Sequence, residues 1–156
     1  MEVAAVSESG LLLPGPMYPH IELATRKGTP IPNAQPKEQS PETLQAAKGI
    51  HTGPQHPERR ARSLTGLYNC MGMIVASRRA WVEPEHLIWI LREDGFQRLQ
   101  DQSDAEEGDV VVYRDQEGDV SHVGLVLEVR LITESHQDPH LVLSQWGRDG
   151  EYIHPA

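Results

Sequence analysis

Cysteine and long apolar runs are the scarcest features of this sequence. Cysteine occurs once, and no stretch of about 18 apolar residues is present. A single cysteine cannot form an internal disulfide, so the fold does not depend on an oxidising compartment. The N-terminal stretch "MEVAAVSESGLLLPGP" also lacks the basic start of a signal peptide. We therefore expect a cytoplasmic protein that does not enter a membrane, unless a dedicated secretion system exports it.

Lysine is absent from residues 61–156, which hold 8 arginines and 17 acidic residues. Residues 1–60 hold 6 basic and 6 acidic residues, so the formal net charge of −9 belongs to the second part of the chain. An acidic surface repels phosphate backbones, which argues against a nucleic-acid partner. The simplest interpretation of this acidity is that it keeps the domain soluble.

Proline divides the chain into two parts, because 9 of the 12 prolines lie in residues 1–60. This part lacks a sustained period of 2 or 3.6 and is predicted to be an extended arm or linker. One short helix is expected within it, with Ser40 as its cap, Pro41 at its first position and Gly49 at its end. The arm is a candidate contact for a protein partner.

Residues 61–156 are predicted to form an α+β domain. A buried helix should begin near Cys70, and a second helix should start at Pro84 and end at Gly95. Two β-rich runs, 110–113 and 120–129, are joined by the hairpin turn "RDQEGD". Further strands are expected over 141–146 and 150–155. The order of helices followed by a meander predicts helices packed on an antiparallel sheet.

Cys70 has two interpretations. It can be a small buried hydrophobe, since free cysteine is among the most buried residue types. It can also be a nucleophile, because a helix N-terminus and a nearby imidazole both favour the thiolate. His122 opens an otherwise apolar strand and is the candidate base. Ser144 or Gln145 on a neighbouring strand could orient its ring; they point to opposite faces, so one of the two at most can do so.

Three stretches resemble a known enzyme family in order and content. "NCMGMIV" is similar to the Asp-Cys-Ser-Gly motif that opens the catalytic helix of NlpC-type cysteine peptidases. "EGDVVVYRDQEGDVSHVGLVLEV" resembles the Gly-Asp strand and the Ser-His-Val-Gly strand of the same family. "SQWGRDGEYIHP" resembles the closing Asn-Ser-Trp-Gly strand of the wider papain-like group. The resemblance covers about residues 66–154.

This resemblance implies a papain-like fold and a cysteine hydrolase, or a related acyl-transfer enzyme, that needs no cofactor. Cys70 would attack an amide or isopeptide bond of a peptide, cell-wall fragment or protein, His122 would shuttle the proton, and Ser144 would orient His122. The residues expected to hold the oxyanion or line the site are Tyr68, Asn69, Gln145 and Trp146. The alternative is a catalytically inactive papain-like domain that serves as a protein-binding module.

The stretch "SHQDPH" raises the question of a metal site. His136, Asp138 and His140 alternate along it. Neither a cysteine pair nor a His-Glu-x-x-His motif supports a zinc site. The stretch is predicted to be a polar loop without a metal.

Overall fold

The chain folds into an α+β structure with an antiparallel sheet. The computed structural model describes the backbone of residues 4–6 and 12–14, and describes residues 19–130 and 140–156 in full. Two short strands, β1 (Ala4–Val6) and β2 (Leu12–Pro14), pair only with each other. The remaining strands are β3 (Arg60–Ser63), β4 (Val110–Arg114), β5 (Val120–Glu128), β6 (Leu141–Gln145) and β7 (Glu151–Pro155). They form one sheet in the order β3-β7-β6-β5-β4.

Among the described residues, three α-helices accompany the sheet: α1 (Pro41–His51), α2 (Cys70–Val75) and α3 (Leu87–Glu93). The N-terminal cap of α1 is the one expected from the sequence, since the Ser40 side chain accepts from the Thr43 N–H and Pro41 begins the helix. The helix continues past its expected end at Gly49, to His51. Single 3₁₀ turns precede α3 and β4, at Pro84–His86 and Gln102–Asp104. Within the described part of the chain, no helix is both long and apolar enough to cross a membrane.

The sheet has two faces of different character. Leu125 lies opposite Leu143, which in turn lies opposite Ile153, and Val123 shares their side of the sheet. We call this side the helix face. Successive side chains of a strand alternate, so the other side carries the residues in between. We call that side the histidine face; its polar members include His122, Ser144, Tyr152 and His154.

The main core lies on the helix face, where α2 and α3 cover the sheet. Met71 of α2, together with Leu87 and Ile90 of α3, is fully buried there against Val123 of β5. Apolar burial of this kind is the main source of stability for such a domain. The sheet therefore separates an apolar layer around α2 from a more polar layer on the histidine face.

Residues 19–40 are extended, as the proline content indicates, and they pack on the domain. Ile31 is 4% exposed and belongs to the core that includes α2 and α3. Ala34 forms an isolated bridge with Trp81, and the Thr25 hydroxyl donates to Glu93 at 2.7 Å. The described part of the arm is thus tied to α3 and to the loop that precedes it.

Strand β3 is an element that the sequence did not predict. Its four residues, "RARS", pair with β7 at the edge of the sheet. Two arginines in four residues give no apolar alternation, so the usual strand signal is missing. The strand forms because β7 offers an unpaired edge, so its formation depends on tertiary contacts and not on the local sequence.

Candidate functional site

Cys70 occupies the first position of α2, on the helix face. Its side chain is 7% exposed, and its thiol donates to the Met71 sulfur at 3.0 Å. Burial raises the pKa of the thiol, although hydrogen bonding to the backbone of Val123, Met71 and Cys70 itself acts in the opposite direction. A buried thiol with a raised pKa holds little thiolate at neutral pH.

Asn69 caps α2 and is committed to structural hydrogen bonds. Its Oδ1 accepts from the Gly72 N–H at 2.9 Å and from the Val82 N–H at 3.1 Å. Its Nδ2 donates to the Val82 carbonyl at 2.7 Å. The side chain that was expected to hold an oxyanion therefore fastens the loop before α3 to the start of α2.

His122 lies on the histidine face, opposite Tyr113 of β4. The two rings are 5.6 Å apart between centroids. Burial, and to a lesser degree the nearby His154, lowers the pKa of His122 to about 4, so its ring is neutral at pH 7. Its Nε2 is buried and has no hydrogen-bond partner among the described residues.

Ser144, and not Gln145, lies on the same face as His122, but its hydrogen bond goes to His154. Ser144 Oγ and His154 Nε2 are 3.0 Å apart, and His154 Nδ1 is 2.7 Å from the Pro155 carbonyl oxygen. A carbonyl can only accept, so Nδ1 carries the proton and Nε2 accepts from the serine hydroxyl. Ser144 is fully buried, and burial lowers the pKa of His154.

The three residues proposed as a triad are thus not brought together. Cys70 packs beside Val123, whose side chain points to the helix face, whereas His122 and Ser144 point to the histidine face. The thiol and the imidazole thus lie on opposite faces of the sheet. A Cys–His dyad needs hydrogen-bond reach between its two members, even allowing for loose geometry without a substrate. Their catalytic roles stay predictions.

The histidine face carries an open pocket of about 540 Å³. Its walls come from β4, β5 and β7 and from the turn between β6 and β7. The residues that line it are Tyr113, His122, Trp146, Gly147, Asp149 and His154. Tyr113 Oη, like His122 Nε2, is buried without a partner in the described part of the chain. Buried polar atoms without partners are uncommon and mark places where a ligand or water can bind.

Trp146 forms one side of this pocket within an aromatic cluster. Its ring stacks on Tyr152 at 5.0 Å between centroids, and Arg59 lies over it at 4.9 Å from the centroid. His51, the last residue of α1, contacts the Trp146 ring edge-on and bonds to Asp149 at 2.8 Å. The cluster attaches the end of α1 to the histidine face and fixes one wall of the pocket.

Gln145 and Tyr68, the other expected site residues, lie on the helix face. Gln145 is fully buried, and its Nε2 donates to the carbonyl oxygens of Thr65 at 2.7 Å and Gly147 at 3.0 Å. The Tyr68 hydroxyl donates to the carboxylate of Glu151 at 2.9 Å. Burial, reinforced by Glu151, raises the pKa of Tyr68 to about 12.

Glu151 is a fully buried carboxylate with three partners. Besides the Tyr68 hydroxyl, it accepts from Arg62 at 2.9 Å and from Arg78. Arg78 and its neighbour Ser77 both have positive φ, at 62° and 50°, which is unusual for residues other than glycine. The network joins β3, the turn after α2 and β7, and it accounts for the position of Tyr68.

Sequence reasoning missed His154 and Tyr113, although a signal for each was present. In "GEYIHP" the alternation puts His154 on the same face as Tyr152, and the antiparallel meander then brings it close to Ser144. Tyr113 follows from the same rule applied across the β4–β5 hairpin. Glu151 had no comparable signal, because its arginine partners lie 89 and 73 residues away in the chain.

Two residues of the "SHQDPH" stretch, His136 and Asp138, lie outside the described residues. His140 is described, and its Nδ1 accepts from the Arg130 N–H at 3.0 Å. Over residues 19–130 and 140–156, no group of three or more His, Cys, Asp or Glu side chains is arranged to hold a metal ion.

Comparisons with known proteins identified no relative of this chain. No family model matches the sequence, and neither the curated proteins nor the solved structures contain a match.

Proposed function

We propose that this chain is a papain-like α+β domain that binds a partner protein and does not hydrolyse it. The observation that carries the proposal is the position of the sheet between the Cys70 thiol on one side and the His122 and Ser144 side chains on the other. A nucleophile without a base in reach lacks the group that would activate it.

The state of each candidate group supports the same conclusion. Burial raises the pKa of the Cys70 thiol, which lowers the thiolate fraction that could attack a carbonyl. The Asn69 amide, a candidate oxyanion donor, already donates to the Val82 carbonyl. Ser144, the candidate orienting residue, bonds to His154 instead of His122.

The pocket on the histidine face supports a binding function. The pocket on the histidine face is open, and two of its polar atoms, Tyr113 Oη and His122 Nε2, have no partner in the described part of the chain. A bound group that donates and accepts hydrogen bonds would satisfy both atoms. The acidic half of the chain adds a charge preference for a basic partner.

The test is the reactivity of Cys70 towards iodoacetamide as a function of pH. We expect the folded protein to react far more slowly than the protein in urea, with an apparent thiol pKa above the free value of about 8.5. His122→Ala should leave this rate unchanged, since the ring does not reach the thiol. Rapid labelling with an apparent pKa below about 7 that is lost in His122→Ala would contradict the proposal.

A cysteine hydrolase is the second candidate, favoured by the place of Cys70 at the start of α2 beside Val123, the neighbour of His122. Catalysis would require the start of β5 to turn over and carry His122 to the helix face. It predicts cleavage of amide or isopeptide bonds in peptides or cell-wall fragments, lost in both Cys70→Ala and His122→Ala. Unchanged turnover in either variant rejects it.

A further inference from the structure

We propose that the outer edge of β4 is a docking site for an extended, basic peptide segment of a partner protein, which adds a strand to the sheet. This inference rests on the proposed binding function and names its surface and the chemistry of its partner. Strand addition lets the main chain supply affinity while pockets beside the edge select side chains.

A bulge at the start of β4 fixes which backbone groups face outward. Gly108, with φ 97°, donates its N–H to the Val126 carbonyl, and the Val126 N–H donates to the Asp109 carbonyl, both at 2.8 Å. This is the pattern of a bulge that begins with glycine in the left-handed region. The bulge sets the phase of the hydrogen bonds along the rest of the β4–β5 pair.

From that phase, the hydrogen-bonded pairs are Val111 with Gly124 and Tyr113 with His122. The N–H and C=O groups of Val110 and Val112 therefore point away from β5. Among the residues that the structure describes, no backbone hydrogen bond from elsewhere reaches these two valines. Within the part of the chain that the structure describes, their outward groups are therefore available to a further strand.

The central residues of the edge carry no side chain that blocks pairing, although a bulge precedes the strand and its register shifts between Tyr113 and Arg114. Its sequence, "VVVYR", contains neither proline nor lysine, the residues that commonly block edge strands. Arg114 is its one charged residue, and its guanidinium turns back to donate to the Gly118 carbonyl at 2.7 Å. The strand thus presents a short, apolar, open edge.

Exposed acidic side chains lie at both ends of this edge. Glu106 and Glu107 precede β4, and Asp115, Glu117 and Asp119 follow it in the hairpin turn. Charges of one sign around a docking site attract a partner of opposite sign and disfavour a like-charged one. The partner strand is therefore expected to carry lysine or arginine.

The pocket on the histidine face adjoins the same edge. Tyr113 belongs to β4, and its side chain lines the pocket beside His122. A strand added to β4 would place alternate side chains on the histidine face. One of them would lie next to Tyr113, whose Oη, like His122 Nε2, has no hydrogen-bond partner among the described residues.

The test uses a fluorescent peptide of about eight residues that alternates valine with lysine, and a matched peptide that alternates valine with glutamate. Binding to the full chain is followed by fluorescence anisotropy. Val112→Pro removes an N–H that points away from β5, so no β4–β5 hydrogen bond is lost. Proline is tolerated at such edge positions. Val112→Ala is the control, because it also shortens the side chain but keeps the N–H.

We expect the lysine peptide to bind the wild type and Val112→Ala with similar affinity. Its affinity for Val112→Pro should be lower by a factor of about ten or more. The glutamate peptide should not bind. Equal affinity of the two variants, or binding of the glutamate peptide as tight as that of the lysine peptide, overturns the inference. Glu107→Gln combined with Glu117→Gln should weaken the lysine peptide several-fold at low salt.

A second measurement changes only the peptide and uses the wild-type protein. Two versions of the lysine peptide are N-methylated, one at the odd-numbered residues and one at the even-numbered residues. Only one version should lose binding, because only alternate N–H groups of a strand pair with a given neighbour. Equal effects of the two versions overturn strand addition. If the wild type fails to bind the lysine peptide while Cys70 stays unreactive, this inference falls and the proposed binding function stands.

Discussion

The amide of Asn69 is bonded through both of its heavy atoms. Oδ1 caps α2 through Gly72, and Nδ2 holds the Val82 carbonyl. Asparagine and aspartate are equally good caps at exposed helix ends, but only the amide can donate. Asparagine at this position is therefore explained by a hydrogen bond that the corresponding acidic residue could not make.

Asn69→Asp should lower the free energy of unfolding by about 2–4 kcal/mol, because it places a carboxylate oxygen against the Val82 carbonyl in a buried site. Urea denaturation measures the change. The control is Ser40→Asp at the exposed cap of α1, where we expect a change within about 0.5 kcal/mol. Similar effects at the two caps would show that the Val82 bond contributes nothing.

The neutral ring of His122 makes stability depend on pH. Its pKa of about 4 in the folded state lies below the unfolded value of 6.5, so the unfolded chain binds the extra proton first. Stability should be fully present above pH 6.5 and fall as the pH drops towards 4. Between pH 7 and pH 5, the urea midpoint of His122→Gln should decline less than that of the wild type. An identical decline in both proteins would assign the loss to other groups.

At the scale of elements, two glycines in helices differ in what surrounds them. Gly49, in α1, is exposed, and a methyl group there would meet nothing within 4 Å. Gly72, in α2, lies against the Ala80 carbonyl, where a methyl group would collide with the oxygen. The first glycine costs the helix conformational entropy, whereas the second permits close approach of the chain.

Gly49→Ala should therefore raise the free energy of unfolding by about 0.5–1 kcal/mol. Gly72→Ala should lower it by about 4 kcal/mol or more, since the Ala80 carbonyl is backbone and cannot move aside cheaply. Thermal or urea unfolding of the pair provides the comparison. A stable Gly72→Ala protein would mean that the turn after α2 is less tightly held than its hydrogen bonds indicate.

The elements of the second half were largely predictable from the sequence. The start of α2 at Cys70, the β4–β5 hairpin and the two closing strands are confirmed, because each carries a cap, a turn or an apolar alternation of its own. Strand β3 was missed because pairing with β7 creates it. A local pattern predicts an element only where the local sequence causes that element.

The site was less predictable, for a reason of geometry. Alternation put Ser144 and Gln145 on opposite faces but did not decide between them; Ser144 is the one that lies on the face of His122. Alternation also could not say on which face α2 would pack, and that choice decides whether Cys70 meets His122. The face is set by the burial of Met71, Met73 and the apolar side chains of α3 against β5 and β6, which is a property of the assembled core.

At the scale of the whole molecule, the described part of the arm belongs to the core. Ile31 is buried at 4% exposure among residues of α2, α3 and β5. Ile50, near the end of α1, is 72% exposed. The two isoleucines lie 19 positions apart in residues 1–60, which the sequence predicts to be an extended arm or linker.

Ile31→Ala should lower the free energy of unfolding by about 2–4 kcal/mol, because it removes buried methyl groups and leaves a cavity. Ile50→Ala should change it by less than about 0.5 kcal/mol. Urea denaturation followed by tryptophan fluorescence reports both, since Trp81 pairs with the arm through Ala34. Equal effects would indicate that the arm packs loosely on the domain.

Gly124 gives the "SHVG" motif a meaning that involves no reaction. A methyl group on this residue would lie 2.6 Å from Ser144 Oγ and would also collide with Val142. Glycine at this position thus leaves room for the serine whose hydroxyl supports His154. The glycine of this motif is therefore explained by the space that two neighbouring strands need, without reference to any reaction.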